Sequence, residues 1–308
     1  MKVQYKIYDL VIFGNYTKDT IITSTGKRNV DGGGFNYGAH AARMLGLKVA
    51  AVTRLNKDDK RVVDKLINIG VDVFPFYTES STHMVLEYPT SDPDDRILRS
   101  PASAGSFTPD QFYELEAKAF LMSGSIRGEI PFEVLAYLRK KNALLVADLQ
   151  GFIRIVASDN RLLNADWPEK EKYLALVDVL KTDSVEAKSL TGEANIKKAA
   201  KILSDMGPKE VVLTHRDGIL VFVNGKYLEA PFHAKSLIGR SGRGDTCIAS
   251  YMAKRLTESP EVAIKWSAAT TSLKMEVEGP FLRNIKEIKN LINEKYSKDK
   301  NVSGSEYL

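Results

Sequence analysis

The sequence predicts an α/β protein: a mostly parallel sheet with helices on both faces and a small flap of strands beside it. Three observations carry this. Short apolar runs recur along the chain, stretches with helical spacing of apolar residues fall between them, and two polar or alternating segments break the rhythm.

The apolar runs are Leu10–Phe13, Val49–Val52, Phe120–Met122, Leu144–Ala147, Val177–Leu180 and Val211–Thr214. A strand covered on both faces needs this continuous apolar character. Helical spacing occupies Tyr37–Leu45, Lys60–Ile69, Pro109–Ala119, Pro131–Lys140, Ile196–Asp205 and Thr246–Leu256. One interruption, Ile21–Val30, is polar and Thr-rich. The other, Phe74–Arg99, contains the alternating "THMVLEYP" and the turn-like "SDPDD". The expected organisation is a core from 1–20, 31–73 and 100–294, a flap from 21–30 and 74–99, and a frayed polar tail over 295–308.

A chain of 308 residues, 44% hydrophobic and 27% charged, buries a large core without covalent staples. The single cysteine, Cys247, excludes an internal disulfide and fits a reducing cytoplasm. The opening "LVIFG" is too short for a signal segment, and nothing approaches the ~18 apolar residues of a membrane helix. The formal charge of +5 is spread among interleaved acids; it suits a small anionic ligand, and neither nucleic acid nor membrane is expected as a partner. His40, His83, His215 and His233 lack metal-ligand spacing, so no zinc site is expected.

Chemistry concentrates in "GRSGRGDTCIASYMAKRL", Gly239 to Leu256. Ile248, Tyr251, Met252 and Leu256 recur at helical spacing, and Lys254 and Arg255 suit a helix C-terminus, so a helix begins near Asp245. Its first N–H groups have no partner within the helix. Gly242 and Gly244 let a ligand approach the backbone, and Arg240 and Arg243 add charge. Together these make an anion seat. A carboxylate there repels phosphate, yet makes sense if Asp245 takes the proton of a hydroxyl that attacks the phosphate. The turn alone is equally compatible with Asp245 serving only to cap the helix. Neither G-x-G-x-x-G nor G-x-x-x-x-G-K-[ST] occurs, so dinucleotide and P-loop logic do not apply.

The same stretch resembles the C-terminal signature of the ribokinase-like (PfkB) carbohydrate kinases, D-T-x-G-A-G-D. Gly242, Arg243, Gly244 and Asp245 match its G-A-G-D, with arginine for alanine. Gly239 and Arg240 stand where the family has Asp and Thr, so the acid with which some members build a monovalent-cation site is missing. Other landmarks appear in order over nearly the whole chain. "FGNYTKDT" resembles the first strand and turn, with Asp19 at the position of a substrate-holding acid. "DGGGFNYGAHAARMLG" resembles the N-terminal signature, with Gly32 and Gly33 as its glycine pair and Tyr37 where ribokinases carry a sugar-binding Asn. "DLQGFIR" resembles the end of the middle strand, with Asp148, Gln150 and Arg154. "KTDSVEAKSLTG" resembles N-x-x-E, with Asp183 for Asn and Glu186 retained. "LTHRDGILVF" resembles the nucleotide-side loop, with Thr214, Asp217 and Gly218.

The resemblance implies a doubly wound α/β fold with a β-sheet lid over 21–30 and 74–99. It implies an ATP-dependent kinase that transfers the γ-phosphoryl group to a primary hydroxyl. Asp245 is then the general base, and backbone N–H groups of Gly242, Arg243 and Gly244 hold the transferring phosphate. Glu186 organises Mg2+ together with Asp183, which also flanks the nucleotide with Thr214, Asp217 and Gly218. Asp19, Gly33, Asn36, Tyr37, Gln150 and Arg154 face the acceptor, Arg96 closes the lid, and the small residues of "SAATTSLK", Ser267–Lys274, admit adenine. The acceptor is a nucleoside or free sugar, with an inositol-type cyclitol as the alternative. Phe35, Tyr37, Phe74, Phe76, Tyr77, Met84 and Tyr88 tilt this towards a nucleoside, because such side chains stack on a base. A non-catalytic sugar or nucleotide sensor is the rival, and it does not need Asp245. By analogy with some relatives, the lid edge would pair two subunits into a homodimer.

Overall fold

The computed structural model describes residues 6–90, 97–239 and 241–296. The chain opens with β1 (Ile7–Phe13), then leaves the main sheet as a hairpin, β2 (Thr17–Thr23) and β3 (Gly26–Asp31). It returns through α1 (Gly34–Met44), β4 (Val49–Leu55), α2 (Arg61–Asn68) and β5 (Asp72–Tyr77). A second excursion forms β6 (Thr82–Glu87) and β7 (Ile97–Ala102). Then come β8 (Glu116–Met122), α3 (Phe132–Leu138), β9 (Leu144–Asp148), the short α4 (Gln150–Ile153), and the hairpin β10 (Arg154–Val156) and β11 (Leu162–Asn164). The chain continues through α5 (Lys170–Leu174), β12 (Val179–Asp183), α6 (Ser184–Thr191), α7 (Ile196–Asp205), β13 (Glu210–Thr214), β14 (Gly218–Val223) and β15 (Lys226–Pro231). It closes with α8 (Arg243–Arg255), α9 (Pro260–Met275) and α10 (Ile285–Leu291).

The large sheet has the order β15-β14-β13-β12-β9-β8-β1-β4-β5. It is parallel from β13 to β5, and β14–β15 add an antiparallel edge. Alternate residues feed opposite cores, as a two-residue period requires. Leu10 and Ile12 of β1 pack with α1, α2, α8, α9 and α10, whereas Val11 and Phe13 pack with α3, α5, α6 and α7. This is the doubly wound, doubly covered sheet that the sequence predicts.

The lid is a separate sheet of order β3-β2-β6-β7, its outer pairs antiparallel and its central pair parallel. Met84 and Leu86 of the lid pack on Ile126 and Leu162 of the main body. The lid hairpin starts at Thr17, so Asp19 lies in a lid strand rather than in the core segment 1–20. Phe74–Tyr77, expected in the flap, form the edge of the large sheet, because β5 pairs with β4 through Val52↔Phe74 to Leu55↔Tyr77. The expected helix over Pro109–Ala119 is a single 3-10 turn at Pro109–Phe112 followed by a strand. Glu116–Met122 lies beside β1, where burying Ala117 and Ala119 on alternating positions outweighs helix propensity. Of the expected tail over 295–308, Lys295 and Tyr296 end a helical turn with Tyr296 buried, and 297–308 lie outside the described residues.

Candidate active site

Parallel strands of an open α/β sheet present their C-terminal ends to one side, where the loops form a crevice. Here β9 delivers Asp148, β12 delivers Lys181 and Asp183, and β13 delivers Thr214 to a cavity of about 580 Å³. The turn Ser241–Asp245 closes another side of it.

That turn is shaped by close packing. Gly242 adopts φ 76° and is the N-cap of α8, with no side chain capping the helix. A Cβ on Gly242 would run into the Tyr37 ring, and one on Gly244 would lie 2.6 Å from the Lys181 ammonium. Arg243, Gly244 and Asp245 form the first turn, at the positive end of the helix. Asp245 therefore does not act as a side-chain cap. Across the cavity wall, a Cβ on Gly34 would sit 2.5 Å from Asp245 Oδ1, so the carboxylate rests directly on the glycine turn that opens α1.

Charge is concentrated behind this carboxylate. The Lys181 ammonium lies 3.1 Å from Asp148 and 4.0 Å from Glu186, and the Arg154 guanidinium lies 3.8 Å from Glu186. Burial pushes Asp245 above the usual carboxylate range, with Lys181 opposing. Burial also raises Asp148, and it carries Glu186 up to about 7 against the pull of Lys181. Burial disfavours the Lys181 charge, but Asp148, Glu186, Asp183 and Asp245 together hold it firmly protonated. Asp183 and Glu186 lock each other: Asp183 Oδ1 accepts from the N–H of Val185 (2.9 Å) and Glu186 (2.8 Å), and Glu186 Oε2 accepts from the Asp183 N–H (2.9 Å). This capping box starts α6 at the cavity edge.

The glycine turn also borders a second cluster of polar side chains. Asp19 comes from β2, and Gly32 allows it close approach, since a Cβ there would clash with the Asp19 and Thr17 side chains. Burial, then Asp245 and Asp31, raise Asp19 to about 7, opposed by a hydrogen bond with Thr17. Asp19 Oδ1, Ser123 Oγ, Asn15 Oδ1 and the Tyr37 hydroxyl are buried with no hydrogen-bond partner among the described residues. Gly33 has φ 93°, and a Cβ on it would lie 2.8 Å from the Asn15 carbonyl.

The sequence-predicted residues thus divide. Gln150, Arg154, Asp183, Glu186, Thr214, Gly242, Arg243, Gly244 and Asp245 line the large cavity. Asp19, Gly33 and Tyr37 gather at the glycine turn, and Tyr37 is wedged beneath Gly242. Asn36 is buried and donates to the Asp31 carbonyl at 3.2 Å, a bracing role. Asp217 and Gly218 stand off the cavity: Asp217 is exposed, and Gly218 packs on Ala230 of the neighbouring strand. Arg216 of the same turn lines the cavity instead. The segment Ser267–Lys274, expected to admit adenine, is fully buried between α8 and the sheet. Of the residues expected to stack on a base, Phe35 lies in the core, Phe74 and Phe76 pack on the opposite core, and Tyr88 alone lines the cavity. Arg96 and Arg240 lie outside the described residues. Sequence reasoning missed Lys181, Arg216 and Ser123. The only trace of Lys181 is a lysine at the end of an apolar run, "VDVLKTD".

A helix turn built on glycines, a desolvated carboxylate beside it and a lidded crevice at the strand ends make the geometry that phosphoryl transfer on a ribokinase-like architecture requires. Residues 1–284 match the pfkB family carbohydrate kinases, and the chain belongs to that family. It is a phosphotransferase acting on an alcohol group. A cytidine kinase of Thermococcus kodakarensis is 26% identical over 266 residues, 80% of this chain and 87% of that protein. A pyrophosphate-dependent kinase of the ribokinase family, solved with a pyrophosphate analog and myo-inositol, is 32% identical with TM-score 0.85, covering 91% of this chain and 99% of that one. A sulfate complex of a pyrophosphate-dependent kinase in the same family is 34% identical, with TM-score 0.85 and coverages of 91% and 99%. No helix among the described residues is long and apolar enough to cross a membrane.

Proposed function

We propose that this kinase phosphorylates a hydroxyl of a small polyol of the cyclitol or free-sugar class, with Asp245 as general base and inorganic pyrophosphate as phosphoryl donor. One observation carries the reading: Asp245 stands between a cavity whose lining includes Arg154, Lys181, Arg216 and Arg243 and a cluster of buried oxygens with no partner among the described residues. These four basic side chains, set among Asp148, Asp183, Glu186 and Asp245, suit a compact, highly charged donor that arrives with a divalent cation. The Ser267–Lys274 segment is buried and does not line this cavity, so the adenine contact expected there has no support. The pyrophosphate-dependent relatives at 32% and 34% identity support pyrophosphate as that donor. The polar side, with Asp19, Asn15, Ser123 and the Tyr37 hydroxyl, suits several hydroxyls.

The acceptor hydroxyl hydrogen-bonds to Asp245, and Asp19 takes hydrogen bonds from its neighbours. Asp245 receives the hydroxyl proton as the oxygen attacks the terminal phosphorus. The bond from that phosphorus to the bridging oxygen breaks, and orthophosphate departs with the bridging oxygen. The N–H groups of Arg243 and Gly244 stabilise charge on the transferred group.

Among the described residues no cluster of three or more His, Cys, Asp or Glu has metal-ligand geometry. Yet the three carboxylates Asp148, Glu186 and Asp245 outnumber the Lys181 ammonium and the Arg154 guanidinium beside them, so a divalent cation held through water fits the excess negative charge. Glu186, with Asp183 beside it, would hold Mg2+ there, and the ion would neutralise donor phosphate charge.

A second reading, a nucleoside acceptor, is favoured by the likeness to a cytidine kinase and by Tyr88 in the cavity wall. An assay crossing two donors, pyrophosphate and ATP, with myo-inositol, ribose and cytidine separates the readings. Transfer from pyrophosphate to a polyol supports the proposal. Transfer only from ATP, or only to cytidine, removes it.

A further inference from the structure

Lys274, in the last turn of α9, is fully buried, and the chemistry above does not use it. A buried ammonium is costly unless something compensates its charge. Its Nζ donates to the Gly239 carbonyl at 2.7 Å and lies 5.4 Å from the centre of the Tyr37 ring. The Gly239 N–H in turn donates to the Met275 carbonyl at 2.9 Å. A side chain at Gly239 would collide with the Val277 carbonyl, so the backbone itself is pressed onto the end of α9. The ammonium therefore joins three parts: α9, the strap leading into the Ser241–Asp245 turn, and the Tyr37 ring on which Gly242 sits. Burial lowers the Lys274 pKa to about 8, while Asp245 and Glu278 favour its charged form.

The sequence context gives this ammonium meaning. Gly239 occupies the place where the family signature carries an acid, the acid with which some members build a monovalent-cation site. At two touching positions an anion is absent and a cation is present.

We propose that the Lys274 ammonium is a built-in replacement for a monovalent cation, fixing the strap and the phosphate-receiving turn so that phosphoryl transfer needs no K+. The inference rests on the reading that the α8 turn receives phosphate. Lys274 is a positioning residue: it acts through the Gly239 carbonyl and the Tyr37 ring and touches neither substrate.

The test compares K+, Na+ and tetramethylammonium chloride at constant ionic strength. Two readouts are used: turnover with the active donor, and the rise in melting temperature caused by pyrophosphate. Wild-type turnover and melting shift should vary by less than ~2-fold across the salts. Lys274→Met should lose ~10-fold or more in kcat/KM for the donor and recover part of it in K+ or NH4+, but not in tetramethylammonium. Stimulation of the wild type by K+ of ~5-fold or more overturns the proposal. So does a Lys274→Met protein as active and salt-insensitive as wild type, or one that folds but stays inactive in every salt, which would make Lys274 mere packing. Should the variant fail to fold, the wild-type salt series decides alone. Should no donor–acceptor pair turn over, the melting shift still decides, so failure of the functional reading remains distinguishable.

Discussion

A carboxylate that takes a proton from an alcohol must stay ionised yet remain basic, and desolvation moves Asp245 in that direction. Asp245→Asn should lower kcat by ~10²-fold or more while leaving the pyrophosphate-induced melting shift in place; loss of both together would make Asp245 a structural acid. Asp19 offers a pH test. It faces Asp245, Asp31, Tyr37 and Thr17, and burial with its acidic neighbours places it at about 7. Below that value it becomes protonated and loses acceptor capacity. The acceptor KM should therefore climb as pH falls through about 7, and Asp19→Asn should flatten the climb. The stability sign is opposite to that of a salt-bridged acid. The folded pKa lies above the ordinary 3.8, so the native state binds the extra proton between that value and about 7. Stability contributed by Asp19 falls as pH rises across this window, and urea titrations of wild type and Asp19→Asn should show the difference. At this scale Asp245 and Asp19 were legible because motif and strand order place them. Lys181 and Lys274 were not, because a lysine in an apolar run carries no sign of which carboxylate or carbonyl the fold brings to it.

Among elements, β12 and the turn before α8 matter most. β12 holds Lys181 among Asp148, Glu186 and Asp245, and removing the ammonium leaves acids buried against acids. Lys181→Met should cost about 3–5 kcal/mol of unfolding free energy, as breaking a buried pair does; a loss below about 1 kcal/mol would mean the acids simply protonate. Gly242→Ala meets two obstacles, the left-handed φ of 76° and the Tyr37 ring. It should lower stability by more than about 1 kcal/mol and weaken pyrophosphate binding at once, because the anion seat moves with the backbone. The element types of most strands and helices follow from periodicity. The stretch Pro109–Ala119 did not, since "LEAKA" fits a helix and an alternating strand alike and only pairing with β1 decides.

For the whole molecule, an ion pair ties the lid to the segment that follows α9. Arg28 of β3 reaches Glu278, beyond α9, at 2.5 Å, and both side chains are about half exposed. Such a pair contributes little stability, on the order of 1 kcal/mol or less. Arg28→Ala should therefore leave the unfolding midpoint unchanged yet raise the acceptor KM and the rate of phosphate release without acceptor, because the lid excludes water less well. An unaltered hydrolysis rate would show that the Arg28–Glu278 contact does not govern closure. The lid hinge is braced separately, where Asp31 takes Arg61 at 2.7 Å and Lys65 at 2.9 Å, both from α2.

Sequence alone determined the layered α/β architecture, the presence of a lid, and the glycine turn with its carboxylate at the start of α8. These follow from local periodicity and from residues adjacent in the chain. Tertiary structure alone decided that Phe74–Tyr77 extends the main sheet, that Asp217 and Gly218 stand away from the cavity, that Ser267–Lys274 is buried, and that Lys181 meets Asp148 and Lys274 meets the Gly239 carbonyl. Each of these depends on which distant segments share a strand edge or a buried charge, and contacts between distant segments leave no period in the chain.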